Sequence, residues 1–187
     1  MPGLFYSKRW EVLPQRREDE RMLCERLGIA PLVARVLSAR GVRSEEDAWA
    51  FLHPSLERDW ADPLDIPGMG EAADRVCYAL DKGECIAVFG DFDVDGMTST
   101  CLLTLGLRAF GGVVHPYIPH RFGEGYGLSH EALMRVIGGC HPDLIITVDN
   151  GISSGNEVQW LLSQGIDVVV TDHHEPGEEI PKAIAVV

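Results

Sequence analysis

Seven residues in three short clusters carry the side chains best suited to chemistry: Asp91, Asp93 and Asp95 in GDFDVDG, Asp149 in TVDNG, and Asp172, His173 and His174 in TDHHEP. Three carboxylates within five residues repel one another unless a cation sits among them. Carboxylates mixed with imidazoles suit Mn²⁺ and tolerate Mg²⁺, and no thiolate joins the pattern to favour a structural zinc. Several potentially bridging carboxylates imply two ions, an arrangement that stabilises both attacking and leaving oxygens in phosphoryl displacement.

Each cluster also has a plainer reading. Asp-x-Asp-x-Asp-Gly opens a calcium-binding EF-hand loop, but the twelfth position of such a loop is a bidentate Glu and here it is Leu102. The segment is also entered from an apolar strand-like run, not from a helix. Asp-Asn-Gly is a common turn, Asp frequently caps the helix after a strand, and adjacent histidines are often incidental. The joint occurrence at three strand ends is what points to a metal site.

The elements that must position these clusters follow from periodicity. Continuous apolar runs ECIAVFG, VVHPYIP, DLIITVD, IDVVVTD and AIAVV read as buried strands, and helices are expected near 70–82, 97–110, 130–138 and 155–164. This alternation predicts an α/β fold, a mainly parallel sheet flanked by helices, in which sites form beyond the carboxyl ends of the strands. All three clusters lie there. Before it, residues 17–53 read as short helices, with Gly41 as a helix stop and Ser44 and Asp47 spaced as a capping pair. The Pro- and Gly-rich HPSLERDWADPLDIPGMG reads as a connector, placing the boundary near residue 66.

The formal net charge of −13 in 187 residues counts against a phosphate-backbone partner. Residues 1–66 hold ten basic and twelve acidic side chains, whereas residues 67–187 hold six and seventeen. The acidity therefore gathers in the segment with the clusters, where metal ions would offset part of it. Five scattered cysteines without a CxxC pair exclude a disulfide framework and read as reduced, mostly buried thiols. No apolar run approaches the ~18 residues of a membrane span, and the first residues lack a secretory h-region, so a cytoplasmic protein with no membrane partner is expected.

The three clusters, in this order, resemble motifs I to III of the Asp-His-His phosphoesterase superfamily. Within it, VFGDFDVDGMTSTCLLTLGLRAFGG, YIPHRFGEGYGLS, LIITVDNGIS and VVVTDHHEP are most similar to the RecJ family of single-strand-specific exonucleases, and LGIAPLVARVLSARGVRSEEDAWAFLHP looks like that family's helical lead-in. Phe92 stands where the family usually has Tyr. The resemblance implies a metal-dependent 5′→3′ exonuclease that acts on single-stranded DNA in repair and recombination and releases 5′-mononucleotides. It further implies that Asp93 and Asp149 hold one Mn²⁺ or Mg²⁺, with Asp149 bridging to a second held by Asp95 and His173. Asp91 would be a further ligand or an orienting neighbour, His174 would approach the scissile phosphate, and Asp172 would orient the imidazoles. A single-strand-binding protein and a helicase are the partners it suggests.

The same resemblance predicts a chain cut before motif IV, a further metal-binding Asp, and lacking the GGGH-bearing associated domain and the OB-fold. Two rival readings accompany it. A small-substrate phosphodiesterase of the nano-RNase or cyclic-dinucleotide type is disfavoured by the lead-in helices, and a noncatalytic scaffold is disfavoured because every ligand of motifs I to III is present. Among lesser signals, Arg121 in the glycine-rich HRFGEGYGLS is the candidate substrate-binding cation, and Tyr126 either stacks on a base or packs under the turn. Backbone N–H groups at Gly96 to Thr100 are placed to favour phosphate. His115, His120, His130 and His141 read as structural, Trp10, Trp60 and Trp160 as packing anchors, and RREDER as a solvated helix face.

Overall fold

The computed structural model describes residues 14, 16–120 and 127–187. The chain parts into two compact units between Ala61 and Asp62. The first holds α1 (Arg17–Leu27), α2 (Pro31–Ala39), α3 (Glu45–Leu52) and the short α4 (Leu56–Asp59). Pro31 opens α2, where its missing N–H costs nothing, and Gly41 turns left-handed just beyond its end at φ 89°. The Ser44 hydroxyl accepts the Asp47 N–H at 3.0 Å and so caps α3 as its spacing predicted. Leu23, Ala34, Leu37 and Ala48 form the core of this unit. Trp60, expected as an anchor, is 69% exposed.

The second unit carries α5 (Met69–Lys82), β1 (Cys85–Phe89), α6 (Val94–Ala109), β2 (Val113–Tyr117), α7 (His130–Cys140), β3 (Leu144–Val148), α8 (Gly155–Ser163), β4 (Asp167–Thr171) and β5 (Ala185–Val186). The five strands make one parallel sheet in the order β2-β1-β3-β4-β5. Strand polarity and layering are those the alternating pattern predicts. Ile86 and Val88 of β1 align with Leu144 and Ile146 of β3 on the face covered by Ala72, Ala79 and Leu107. Ala87, Phe89, Ile145, Val168 and Val170 fill the opposite face against Leu133, Val136, Val158 and Leu161. At about 1.5–3 kcal/mol per fully buried aliphatic or Phe side chain, these two layers outweigh the small helical core many times over.

The chain leaves β1 toward β2 on one side and returns to β3 on the other, so the strand order reverses between β1 and β3. A crevice opens at such a point beyond the carboxyl ends. The opposite end of the sheet is clamped by Arg75 of α5, whose guanidinium donates to Glu84 at 2.7 Å and to Asp167 at 2.6 Å. Pro116 sits in β2, the edge strand, and cannot donate a ladder hydrogen bond. The cysteines depart from expectation: Cys77 and Cys101 are exposed and Cys24, Cys85 and Cys140 half-buried, because Cys77 and Cys101 fall on the outward faces of α5 and α6.

Candidate metal centre

Phe89 ends β1, and the Gly90 N–H extends the pairing one step further by donating to the Tyr117 carbonyl at 2.9 Å. The chain then turns sharply into α6. Asp91 is 1% exposed, and its Oδ1 accepts the Phe92 N–H at 2.7 Å. Asp93 caps α6 by accepting the Gly96 N–H at 2.9 Å through Oδ1. The helix-cap reading of this motif is thus realised by one oxygen of Asp93, which leaves the other for a ligand. A Cβ on Gly96 would stand 2.5 Å from the Asp91 nitrogen and 2.6 Å from its carbonyl carbon, so only glycine lets the carboxylate loop lie this close under the helix.

At the end of β3, Asp149 adopts the left-handed region at φ 61°, followed by Gly151 at φ 109°. Its N–H donates to the Thr171 carbonyl at 3.1 Å, which ties the turn to the end of β4. A non-glycine residue at positive φ is uncommon, although Asp tolerates it better than most. The turn drops the Asp149 carboxylate back toward β1, where it is 8% exposed. Oδ1 meets His173 Nε2 at 2.9 Å, while Oδ2 is buried with no hydrogen-bond partner among the described residues.

At the end of β4, the Asp172 side chain is 2% exposed and is saturated. Oδ1 accepts from the His173 N–H at 2.8 Å, the His174 N–H at 3.1 Å and His174 Nδ1 at 2.8 Å, and Oδ2 accepts from the Ile152 N–H at 3.0 Å. With Nδ1 engaged, His174 offers Nε2 to whatever stands in front of it.

Ligand-capable atoms of Asp91, Asp93 and Asp149 all lie within 4.8 Å of one another, and so do those of Asp149, His173 and His174. Asp149 belongs to both groups. Asp95, in the first turn of α6, is exposed and lines the same cleft of about 450 Å³ together with Ser99, Asp149, Asp172 and His173, but stands in neither close group. Arg121 and Tyr126 lie outside the described residues, as does Trp10. His115, His120, His130 and His141 enter no metal-capable group among the described residues. His130 packs its ring against Trp160, with centroids 4.5 Å apart, and His141 is a left-handed helix cap at φ 47°.

The electrostatics follow from crowding. Burial, with Asp93 alongside, pushes the Asp149 carboxyl above the usual range, and His173 only partly opposes this. The Gly96 N–H holds Asp93 below that range, against some desolvation and with help from Asp149. Burial alone would raise Asp172, but the donors from Ile152, His174 and His173 bring it lower. The Asp172 carboxylate raises the pKa of His174. Neither the large cleft nor the smaller one beside His174 is lined by Lys or Arg among the described residues. A buried carboxylate that keeps one oxygen unpartnered among the described residues and is grouped with two further carboxylates and two imidazoles fits a divalent cation shared through Asp149.

Sequence reading did not single out Asn150, treated only as part of a turn. It is 4% exposed, and its Nδ2 donates to the Val148 carbonyl at 3.0 Å and to the Phe89 carbonyl at 3.4 Å. The signal for it was weak, since the turn reading of Asp-Asn-Gly accounts for Asn without invoking its side chain.

A parallel sheet covered on both faces, gathering carboxylates and imidazoles where its strand order reverses, defines an open α/β protein with a candidate two-ion centre. The chain belongs to the DHH family, whose N-terminal domain matches residues 85–187. It is 43% identical over 96% of its length to the single-stranded-DNA-specific exonuclease RecJ of Bacillus subtilis, and 40% identical over 95% to that of Thermus thermophilus. Among solved structures, RecJ in complex with Mn²⁺ from Thermus thermophilus matches 93% of this chain and 24% of its own, at 35% identity and a TM-score of 0.61. An exonuclease RecJ bound to manganese matches 64% of this chain and 30% of its own, at 46% identity and a TM-score of 0.59. The chain spans 22% of the length of the first of these curated relatives and 25% of the second. No helix among the described residues is long and apolar enough to cross a membrane.

Proposed function

We propose that this chain carries the metal-binding catalytic portion of a single-stranded-DNA-specific 5′→3′ exonuclease that hydrolyses phosphodiesters to 5′-mononucleotides. The observation that carries the reading is that Asp149, with one buried oxygen unpartnered among the described residues, belongs both to a close group with Asp91 and Asp93 and to one with His173 and His174. Likeness to RecJ proteins, two of which were solved with manganese, supports Mn²⁺ as the ion and single-stranded DNA as the substrate.

Asp91, Asp93 and Asp149 would hold one ion, and Asp149, His173 and the nearby Asp95 a second. Ions bound there would supply Lewis acidity and activate the attacking water. Asp172 would orient the His174 imidazole through Nδ1 and hold the backbone of His173 and His174 through their N–H groups, and His174 would turn its Nε2 to a non-bridging phosphate oxygen. Arg121 is the proposed contact to the 5′ phosphate. A single-strand-binding protein and a helicase are the proposed partners, in keeping with a role in repair and recombination.

The test is to incubate the protein that carries this chain with Mn²⁺ and end-labelled single strands, a blunt duplex or a dinucleotide. Mononucleotides released from the 5′ end of the single strand alone are expected. Hydrolysis confined to the dinucleotide would instead identify a small-substrate phosphodiesterase, and bound metal without hydrolysis would identify a scaffold.

A further inference from the structure

We infer that Asn150 is the positioning residue of the metal centre, a buried amide that staples the ends of β1 and β3 so that Asp149 faces the carboxylates of the first motif. The inference rests on the metal-site reading above. Asn150 is 4% exposed and contributes no atom to either group of metal-capable ligands. Its Nδ2 reaches the last carbonyl of β3, Val148, at 3.0 Å and the last carbonyl of β1, Phe89, at 3.4 Å. Two carbonyl oxygens can be met only by the NH₂ end of the amide, so its orientation is fixed by chemistry.

Those carbonyls lie where the sheet's own ladder runs out. The paired register of β1 and β3 ends at Phe89 and Thr147, and the metal-bearing loops begin immediately afterwards. Asp91 follows Phe89 by two residues, and Asp149 follows Val148 directly. The Asn150 amide therefore extends the pairing beyond the ladder where the loops that carry Asp91 and Asp149 must stay in register. It is also the neighbour of Asp149 in a turn that holds Asp149 at φ 61°, a conformation that persists only where surrounding contacts over-determine it. On the far side, the Asp149 N–H is tied to Thr171 of β4. Asn150 is the corresponding tie toward β1, and without it the Asp149 carboxylate is anchored from one side only.

Two substitutions separate this role from packing and from charge. Asn150→Ala removes the amide, whereas Asn150→Asp keeps its size but sets a carboxylate against two carbonyl oxygens. Charge alone would make Asn150→Asp bind a cation more tightly, since it adds a negative group beside Asp149. The positioning role requires the opposite. The Mn²⁺ affinity of both variants, measured by calorimetry on the whole chain, is expected to fall by about tenfold or more, as for other residues that orient metal ligands. Melting without metal is recorded alongside to compare the folds.

Asn150→Asp binding Mn²⁺ as tightly as the wild type, or more tightly, would overturn the inference. So would loss of the native fold in both variants without metal, which would make Asn150 a general stability residue. Asp149→Ala serves as the control on the underlying reading. If the wild type and Asp149→Ala take up Mn²⁺ equally, it is the metal site that fails, whereas loss in Asp149→Ala with retention in both Asn150 variants removes only the role given to Asn150.

Discussion

At the amino ends of the strands, each carboxylate has its donor. Glu84 and Asp167 share Arg75, and Asp143 accepts the Cys85 N–H at 2.8 Å. At the carboxyl ends, Asp91, Asp93 and Asp149 crowd together, and among the described residues no Lys or Arg lines the cleft at Asp149 and one Asp149 oxygen has no partner. The same residue type thus plays opposite parts at the two ends of one sheet. Where the acids are compensated, they hold α5 and two strand starts together. Where they are not, the fold tolerates repulsion and a left-handed Asp149, as a candidate metal centre would require.

The comparison is broken most forcefully at the compensated end. Arg75→Met leaves Glu84 and Asp167 facing each other, their side chains 20% and 38% exposed. Removing one partner of a buried pair costs about 3–5 kcal/mol, and the exposure of Asp167 reduces this to about 2–3 kcal/mol. Urea denaturation should show the loss, with the Mn²⁺ affinity of the folded protein unchanged. A shift in Mn²⁺ affinity would mean that the two ends are not independent.

At the uncompensated end, a substitution that removes charge is expected to act in the opposite direction. Asp149→Asn keeps the shape of the side chain, suits positive φ and relieves repulsion, so the metal-free protein should gain about 1 kcal/mol while losing Mn²⁺ binding. Denaturation with and without Mn²⁺ reads both effects, and a variant less stable than the wild type without metal would contradict the account of Asp149 as strained by its neighbours.

The smallest effect expected is on pH dependence. The folded-state pKa of Asp149 lies above its unfolded value. Its contribution to metal-free stability is therefore full below the unfolded value and is lost as pH rises through the folded one. Mn²⁺ requires the ionised carboxylate, so its affinity should rise across the same interval, from about pH 4 upward. Calorimetry in buffers of different ionisation enthalpy should detect proton release on binding there, and binding without proton release would contradict the role given to Asp149.

Much of this was legible in the sequence, because a buried parallel strand is an uninterrupted apolar run and the residue that ends it is the residue at the crevice. ECIAVFG, DLIITVD and IDVVVTD fold as β1, β3 and β4, each with its acid just beyond. The helix expected to start near residue 97 begins at Val94, since Asp93 serves as its cap as well as a candidate ligand. The Arg75 clamp escaped notice because its two partners are nine and 92 residues away, and nothing local marks an arginine that reaches across a sheet. Asn150 escaped for a different reason: its conformation and its side chain serve two purposes, and sequence reveals only the first. Asp95 matched the motif, yet as an exposed first-turn residue it stands outside both close ligand groups.

Pro116 bears on what happens when many copies of this chain meet. A parallel sheet with an open edge is a template on which another chain can add a strand. Along β2 that template has a gap, since one position lacks an N–H and cannot donate to an incoming ladder. Replacing Pro116 with Val would complete the row, and the protein would be expected to aggregate sooner on concentration or heating, through a change that touches no candidate ligand.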